Sequence, residues 1–484
     1  MKRIFSNTFV ALAAGLCLRL FFVLKYPANS GDTVLYEQMA TNWVRHGTYA
    51  MDVYGRITPV DLRMPGYPAF LAVVYMITGR EGADARLWII VAQVAIDLLS
   101  CLLTAGLAAI LFLMVSERNP ARRVFAAALW LAALCPFTAN YVAVPLTEVF
   151  AVFFTVAALI PLCLLAGRLR NNGWLFIKRG WHFANDPVAL ACCGAFLTGL
   201  GTLFRPETPL LLFAAWIVIG IVLISQHEVK RWIVTVVGMG LFATLPLVPW
   251  AIRNAVTLHE FRLLAPRYSN LPGELVPYGF MSWEKTWLFR FRDVYLVPWK
   301  LNDEPIRVED IPGQAFDTEE EKARVAAILE PYNNDLTLTH EEDAAFGQLA
   351  RERTARHPLR TYVWLPAARA ITMWFTPRIE LLPVSGTIFP LARAWAEDRI
   401  DLSVTLGLFA LNLLYVGLAV WGAVRIWRRS SAARPAVALL IVFILLRTAF
   451  LTSLETPEPR YVLVCFPAVI ALAAQVFWGR GEPQ

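Results

Sequence analysis

Five carboxylates (Asp32, Glu37, Glu148, Glu207, Glu458) and four guanidiniums (Arg63, Arg205, Arg253, Arg460) stand beside strongly apolar runs of this sequence. A positioned carboxylate suits general-base work, and a guanidinium suits a bidentate grip on phosphate. Gathered at one face of a membrane, such groups suit a cleft for an anionic substrate carried in lipid. Each also has a structural reading. Asp32, in Ser-Gly-Asp-Thr ahead of Leu35, Met39 and Trp43, reads as a helix N-cap, and a capping carboxylate is also a rigidly held one. Glu148 favours the positive end of a helix. Arg205 with Glu207 reads as a headgroup-level pair, and Arg63 and Arg253 as interfacial anchors. Arg19, Asp97 and Arg447 lie deeper in apolar runs, where ionisable groups are costly, and are expected to pair with one another or to line a cavity.

Metal chemistry finds little support. The six histidines are scattered, with no HExxH or comparable spacing. The seven cysteines lie in apolar stretches and read as small buried hydrophobes rather than thiolate ligands. No cofactor is expected to be required; a divalent cation stays open as an alternative, although no ligand spacing supports it.

The elements that must hold these groups follow from composition. The 484 residues are 57% hydrophobic and 17% charged, with mean hydropathy +0.52. Soluble domains average about 25% charged residues, so the chain reads as a polytopic helical membrane protein. The net charge of +7 then belongs to cytoplasmic loops, and it does not indicate a nucleic-acid partner. Ten spans are expected: 4–26, 87–114, 124–143, 148–167, 188–204, 207–225, 232–251, 403–425, 435–453 and 461–478. The basic start is kept as a retained first span, because no small-residue cleavage site follows it.

Loop charge sets the orientation. If 66–79 lies on or dips into the outer interface without crossing, the loops bearing Arg118, Arg122 and Arg123, then Arg168, Arg170, Lys178 and Arg179, then Lys230 and Arg231, then Arg428, Arg429 and Arg434 share the cytoplasm with Lys2 and Arg3. Both termini are then cytoplasmic. The candidate residues all fall at outer helix ends, under a topology chosen from cytoplasmic charges alone.

Three regions result. Residues 1–252 form a transmembrane module with an outer loop at 27–86, and 403–484 carry the last spans. Between them 253–402 is an extracytoplasmic, mainly helical segment. Its stretch 301–357 holds fourteen acidic against six basic residues, which fits the same side. Thr318-Glu319-Glu320-Glu321 and Thr339-His340-Glu341-Glu342 are capping-box signatures ahead of helices. Residues 359–376 suit an interfacial helix.

The order of motifs resembles the bacterial GT-C glycosyltransferases, a superfamily of polyprenyl-phosphate-sugar-dependent enzymes that includes protein O-mannosyltransferases and lipid A aminoarabinose transferases. The motifs are LCLRLFF, GDTVLYEQMATNWVRHGTYA, RMPGYPAFLA, LTEVF, FRPE, PWAIRN and EPRYVLVCFPAVIAL. The likeness covers nearly all the spans and is weakest across 260–340. It implies an inverting transfer of sugar from a polyprenyl-phosphate donor to an extracytoplasmic acceptor, at a bacterial inner membrane. Asp32 matches the catalytic acid of the first outer loop, although Thr33 follows where a second acid is common. Glu148 matches the acid of the second outer loop and would orient Asp32 or the acceptor. Partial burial would raise the basicity of Asp32. Arg63, Arg205, Arg253 and Arg460 would receive the phosphate, with Glu37, Glu207 and Glu458 in support. The alternatives are a transporter or flippase for a lipid-linked saccharide or other solute, which repeated halves would favour, and a receptor or scaffold.

Overall fold

The computed structural model describes residues 2–115, 121–169, 186–268, 270–271, 273–376, 381–382 and 384–478. Arg118, Arg170, Lys178 and Arg179, used above for orientation, lie outside them. Seven helices among the described residues are long and apolar enough to cross a bilayer: Asn7–Lys25, Gly82–Leu113, Glu148–Leu169, Val229–Thr257, Arg399–Arg429, Arg434–Thr452 and Pro459–Phe477. The other three expected spans are less regular. Ala121–Ala133 and Pro136–Ala143 are bent by 47° at Pro136, whose missing N–H interrupts the ladder. Pro187–Thr202 and Leu210–Ser225 are 16-residue apolar helices, about 24 Å each against a hydrocarbon core of about 30 Å. The sharp turn between them carries Arg205 and Glu207. Gly66–Thr78 is a 13-residue helix, at about 20 Å shorter still.

The deep ionisable groups find partners. Arg19 meets Asp97 at 2.6 Å, both buried, and Arg447 meets Glu207 at 3.1 Å. All seven cysteines are free. Cys17 is exposed and Cys192 and Cys193 are half-buried, so only the other four match the buried reading.

The first outer loop is a small folded unit. Helix Gly31–His46 starts at Ser30, whose amide donates to Thr33 Oγ1 at 3.2 Å, and Thr33 donates to the Pro145 carbonyl at 3.1 Å. Asp32 is therefore not the cap. It stands inside the first turn, with its carboxylate free for other partners. The helix stops at Gly47, whose φ of 67° costs a glycine little. A hairpin follows, Ala50–Val53 antiparallel to Arg56–Pro59, with Ala50 opposite Pro59. Its turn residues Tyr54 and Gly55 both have positive φ, which matches the twist of the strands. Gly66 then closes the loop: its amide donates to the Leu203 carbonyl at 2.7 Å. A Cβ there would lie 2.6 Å from that oxygen, so only glycine lets the outer loop reach the turn bearing Arg205.

The segment after Thr257 builds a second apolar core around Trp283, Trp287, Tyr332, Phe346 and Leu349. Both capping threonines act as the sequence suggests: Thr318 accepts from Glu321 N and Thr339 from Glu342 N. Within this core Arg353 is fully buried, bonded to Glu321 at 2.5 Å and to Thr286 at 2.9 Å. Helix Leu365–Phe375 fastens the segment to the spans. Its buried Arg369 donates to the carbonyls of Lys285, Leu288 and Thr452, while Ile371 on the same helix, and Leu359 and Trp364 just before it, are exposed. Arg353→Met removes the cation shared by buried carboxylates, and is expected to destabilise this segment by about 3–5 kcal/mol. Thermal unfolding followed by tryptophan fluorescence tests this, and an unchanged transition would remove Arg353 from the folding account.

Candidate active site

The outer loop, the 203–209 turn and the ends of Arg434–Thr452 and Pro459–Phe477 enclose a cavity of about 690 Å³. Its floor is ionic. Asp32 Oδ1 accepts from Arg63 at 2.7 Å, and Oδ2 lies 3.5 Å from Arg460. Arg460 approaches Glu148 at 3.9 Å and Glu458 at 2.5 Å. Glu148 is ion-paired to Arg205, Arg205 lies 3.9 Å from Glu207, and Glu207 is bound by Arg447. Opposite charges thus alternate from Arg63 to Arg447, four guanidiniums against four carboxylates. The Tyr461 ring lies 5.3 Å from the Arg205 guanidinium and 5.5 Å from that of Arg460, steadying both cations. Its hydroxyl donates to Glu458 at 2.7 Å.

Two groups keep unused capacity. Glu148 Oε2 and Arg205 Nε are buried without a hydrogen-bond partner among the described residues. The cavity lining also has an apolar part, with Leu210, Phe213, Phe450 and Leu454. Phe213 and Phe450 are also exposed on the outer surface of their helices, at 49% and 40%, where acyl chains would lie.

Burial pushes the Asp32 carboxyl up, but the guanidiniums of Arg63 and Arg460, with Arg205 further off, outweigh it and hold the group below its ordinary value. The expectation that burial strengthens this base is therefore corrected, because pairing with cations weakens a carboxylate base. Arg63 is correspondingly raised: burial lowers it, and Asp32 more than compensates. Tyr36, on the same cavity wall, is pushed up to about 12 by burial and by the Asp32 charge, so its hydroxyl stays protonated.

Of the residues singled out by sequence, Asp32, Arg63, Arg205, Glu207 and Arg460 line the cavity, and Glu148 and Glu458 support it through Arg205 and Arg460. Two lie elsewhere. Arg253 donates to the Val60 carbonyl at 2.8 Å and to the Tyr49 carbonyl at 2.5 Å, and stacks on Tyr49 and Trp250. It fastens the hairpin to helix Val229–Thr257 and does not line the cavity. Glu37 pairs with Arg86 at 3.2 Å, also outside it. A residue that the sequence did not signal lines the rim: Arg267. It shares Glu455 with Lys285, each at 2.9 Å, so two cations meet one carboxylate. Arg267 lies in an irregular stretch with no periodicity to flag it.

Among the described residues no three His, Cys, Asp or Glu side chains converge as a metal site. The cavity carboxylates face guanidiniums.

No protein-family model and no curated protein matches the sequence. Solved structures do match in fold. The Archaeoglobus fulgidus oligosaccharyltransferase, crystallised with a tethered acceptor peptide, aligns with a TM-score of 0.51 at 14% identity, over 97% of this chain and 49% of that one. ArnT from Cupriavidus metallidurans, bound to undecaprenyl phosphate, aligns at 0.38 and 13% identity, over 97% of this chain and 77% of that one. The likeness to the oligosaccharyltransferase gives the chain the GT-C fold, and the chain spans about half the length of that protein.

Loss of Arg63 would leave Asp32 with a more distant partner, so the carboxyl pKa is expected to rise in Arg63→Ala. The infrared band of the protonated acid, assigned by its loss in Asp32→Asn, should titrate at higher pH in that variant. Identical titration would show that Arg63 does not hold the carboxylate.

Proposed function

We propose that the protein is an integral-membrane inverting glycosyltransferase, moving a sugar from a polyprenyl-phosphate donor to an extracytoplasmic cell-envelope glycan, glycolipid or protein. The location in keeping with this is a bacterial inner membrane, with both termini cytoplasmic and the cavity opening away from the cytosol. The observation that carries the reading is one cavity that combines an ionised carboxylate, several guanidiniums and an apolar wall beside outward-facing phenylalanines. A phosphate on a long lipid tail has the same two-part character. The GT-C fold supports it.

In this reading the tail lies along Phe213 and Phe450, and the phosphate enters at the floor. The alternating network is already neutral, so an added anion needs surplus positive charge. Arg267, which shares Glu455 with Lys285, is the readiest source. Arg63 and Arg460 can then turn from Asp32 towards the phosphate by bidentate contact. That exchange has a second effect: losing its cations returns Asp32 to ordinary carboxylate strength. The acceptor hydroxyl or amine attacks the anomeric carbon from the face opposite the phosphate, giving up its proton to Asp32. The sugar–phosphate bond breaks with its electron pair on the phosphate oxygen, where the guanidiniums stabilise the developing charge. Glu148 acts through Arg205 and Arg460, fixing their direction, and is a positioning residue.

Turnover of polyprenyl-phosphate sugars by protein in proteoliposomes tests this reading. Asp32→Asn is expected to lower transfer by about 10²–10⁴-fold, the usual range for a lost general base, with binding of the lipid phosphate retained. Glu148→Gln should cost less. Full activity in Asp32→Asn removes that residue from the chemistry. Arg267→Ala should raise KM for the donor with a smaller change in kcat, and an unchanged KM argues against Arg267 as a phosphate ligand. Asp32 is competent as a base only when ionised. In the donor-free enzyme the acid limb of kcat/KM should therefore lie below the ordinary carboxylate value of about 3.9, and activity falls as pH drops through it. A limb well above that value would contradict the pairing with Arg63 and Arg460.

A further inference from the structure

A second cavity of about 690 Å³ lies in the segment after Thr257, between helices Tyr278–Glu284 and His340–Arg356. The two helices touch at glycines. A Cβ on Gly279 would meet the Asp343 carbonyl oxygen at 1.7 Å, and Gly279 Cα stands 3.3 Å from a Cβ built on Gly347. Both glycines line the groove, so its floor is backbone with no side chain to fill it. The walls are amphipathic. Tyr278 and Tyr362 are 59% and 71% exposed, and both line the groove with Ser282, Lys285, Arg351 and Thr361.

The polar groups are unevenly occupied. Asp343 is the groove's acid, and it is engaged by the amides of Gly279 and Phe280 at 3.0 and 2.9 Å. Arg351 is exposed and forms no ion pair among the described residues. Aromatic faces beside a guanidinium with unused donors suit a saccharide, whose rings offer C–H faces and hydroxyls. The free guanidinium favours a saccharide bearing an anionic group.

The groove also adjoins the first cavity. Lys285 lines the groove and Arg267 lines the first cavity, and both hold Glu455. Tyr268 donates to the same carboxylate at 3.1 Å and packs edge-on against Tyr278, with ring centroids 5.3 Å apart. One short bridge therefore separates the two cavities.

We infer that this groove is a binding site for an anionic saccharide, which it holds so that the adjoining part of the same molecule reaches the first cavity as acceptor. The groove's affinity for a saccharide stands on its own residues, and the acceptor role rests on the glycosyltransferase reading.

Full-length protein in nanodiscs, titrated with trigalacturonate and with neutral maltotriose, tests it by calorimetry. Trigalacturonate should bind saturably and more tightly than maltotriose. Tyr362→Ala should weaken both by about tenfold or more, and Arg351→Ala should weaken trigalacturonate selectively. Both side chains lie at the surface, and thermal melting of the variants checks that they fold. Undecaprenyl phosphate, titrated in parallel, should bind the unsubstituted protein and both variants equally. Failure of both saccharides to bind, or unchanged binding in both variants, overturns the groove as a saccharide site. Loss of undecaprenyl phosphate binding by the unsubstituted protein, with saccharide binding intact, would count against the acceptor role and the glycosyltransferase reading while leaving the groove standing.

Discussion

Charges placed where apolar helices end at a bilayer cost several kcal/mol each unless they meet a partner of opposite sign. The network from Arg63 to Arg447 meets that constraint by alternation: Asp32, Glu148 and Glu207 each lie between two guanidiniums, Arg460 and Arg205 each lie between carboxylates, and Glu458 branches from Arg460. Five stretches of chain supply the members: the outer loop, the start of Glu148–Leu169, the 203–209 turn, the span Arg434–Thr452 and the start of Pro459–Phe477. Neutrality therefore fixes how these elements meet. A shift of any one would strand a buried charge on another.

The same balance shapes the chemistry. A neutral, fully paired floor is stable without substrate, yet it holds Asp32 as a weak base. On the proposed reading, an arriving phosphate would disturb the pairing at the point where base strength is wanted. The site would then be poised by competition for arginine, with the cations that bind the donor being those that restrain the base before it arrives.

Around this floor the rest of the molecule supplies position. Gly66 brings the outer loop onto the Leu203 carbonyl, Arg253 fastens the hairpin to helix Val229–Thr257, and Arg369 ties the segment after Thr257 to the end of Arg434–Thr452. Two of these three ties are guanidinium-to-carbonyl contacts, which combine charge with several directed donors. They leave a rim at Arg267 and Glu455 that connects a membrane-level cavity to a folded, more polar segment with a core of its own.

The membrane class, the positions of the long helices, the capping threonines at 318 and 339, and the grouping of Asp32, Arg63, Arg205 and Arg460 were legible in the sequence. Hydropathy and cap chemistry are local properties, and costly charges beside apolar runs announce themselves. The partners were not legible. Nothing in the spacing distinguishes Arg253, which holds a hairpin, from Arg205, which lines the cavity, since both read as arginines at outer helix ends. Nor does local pattern show that Ser30 takes the cap, so that Asp32 is left to its arginines. Arg267 carries no periodic signal, and it reaches the rim only because an irregular loop is held by Arg262 on Asp61 and by the Ala265 amide on Met64. Sequence alone determined which groups must be compensated, because that depends on each residue and its apolar neighbours. Only the tertiary structure decided which group compensates which, because ion pairing acts across a few ångströms between residues as far apart as 32 and 460.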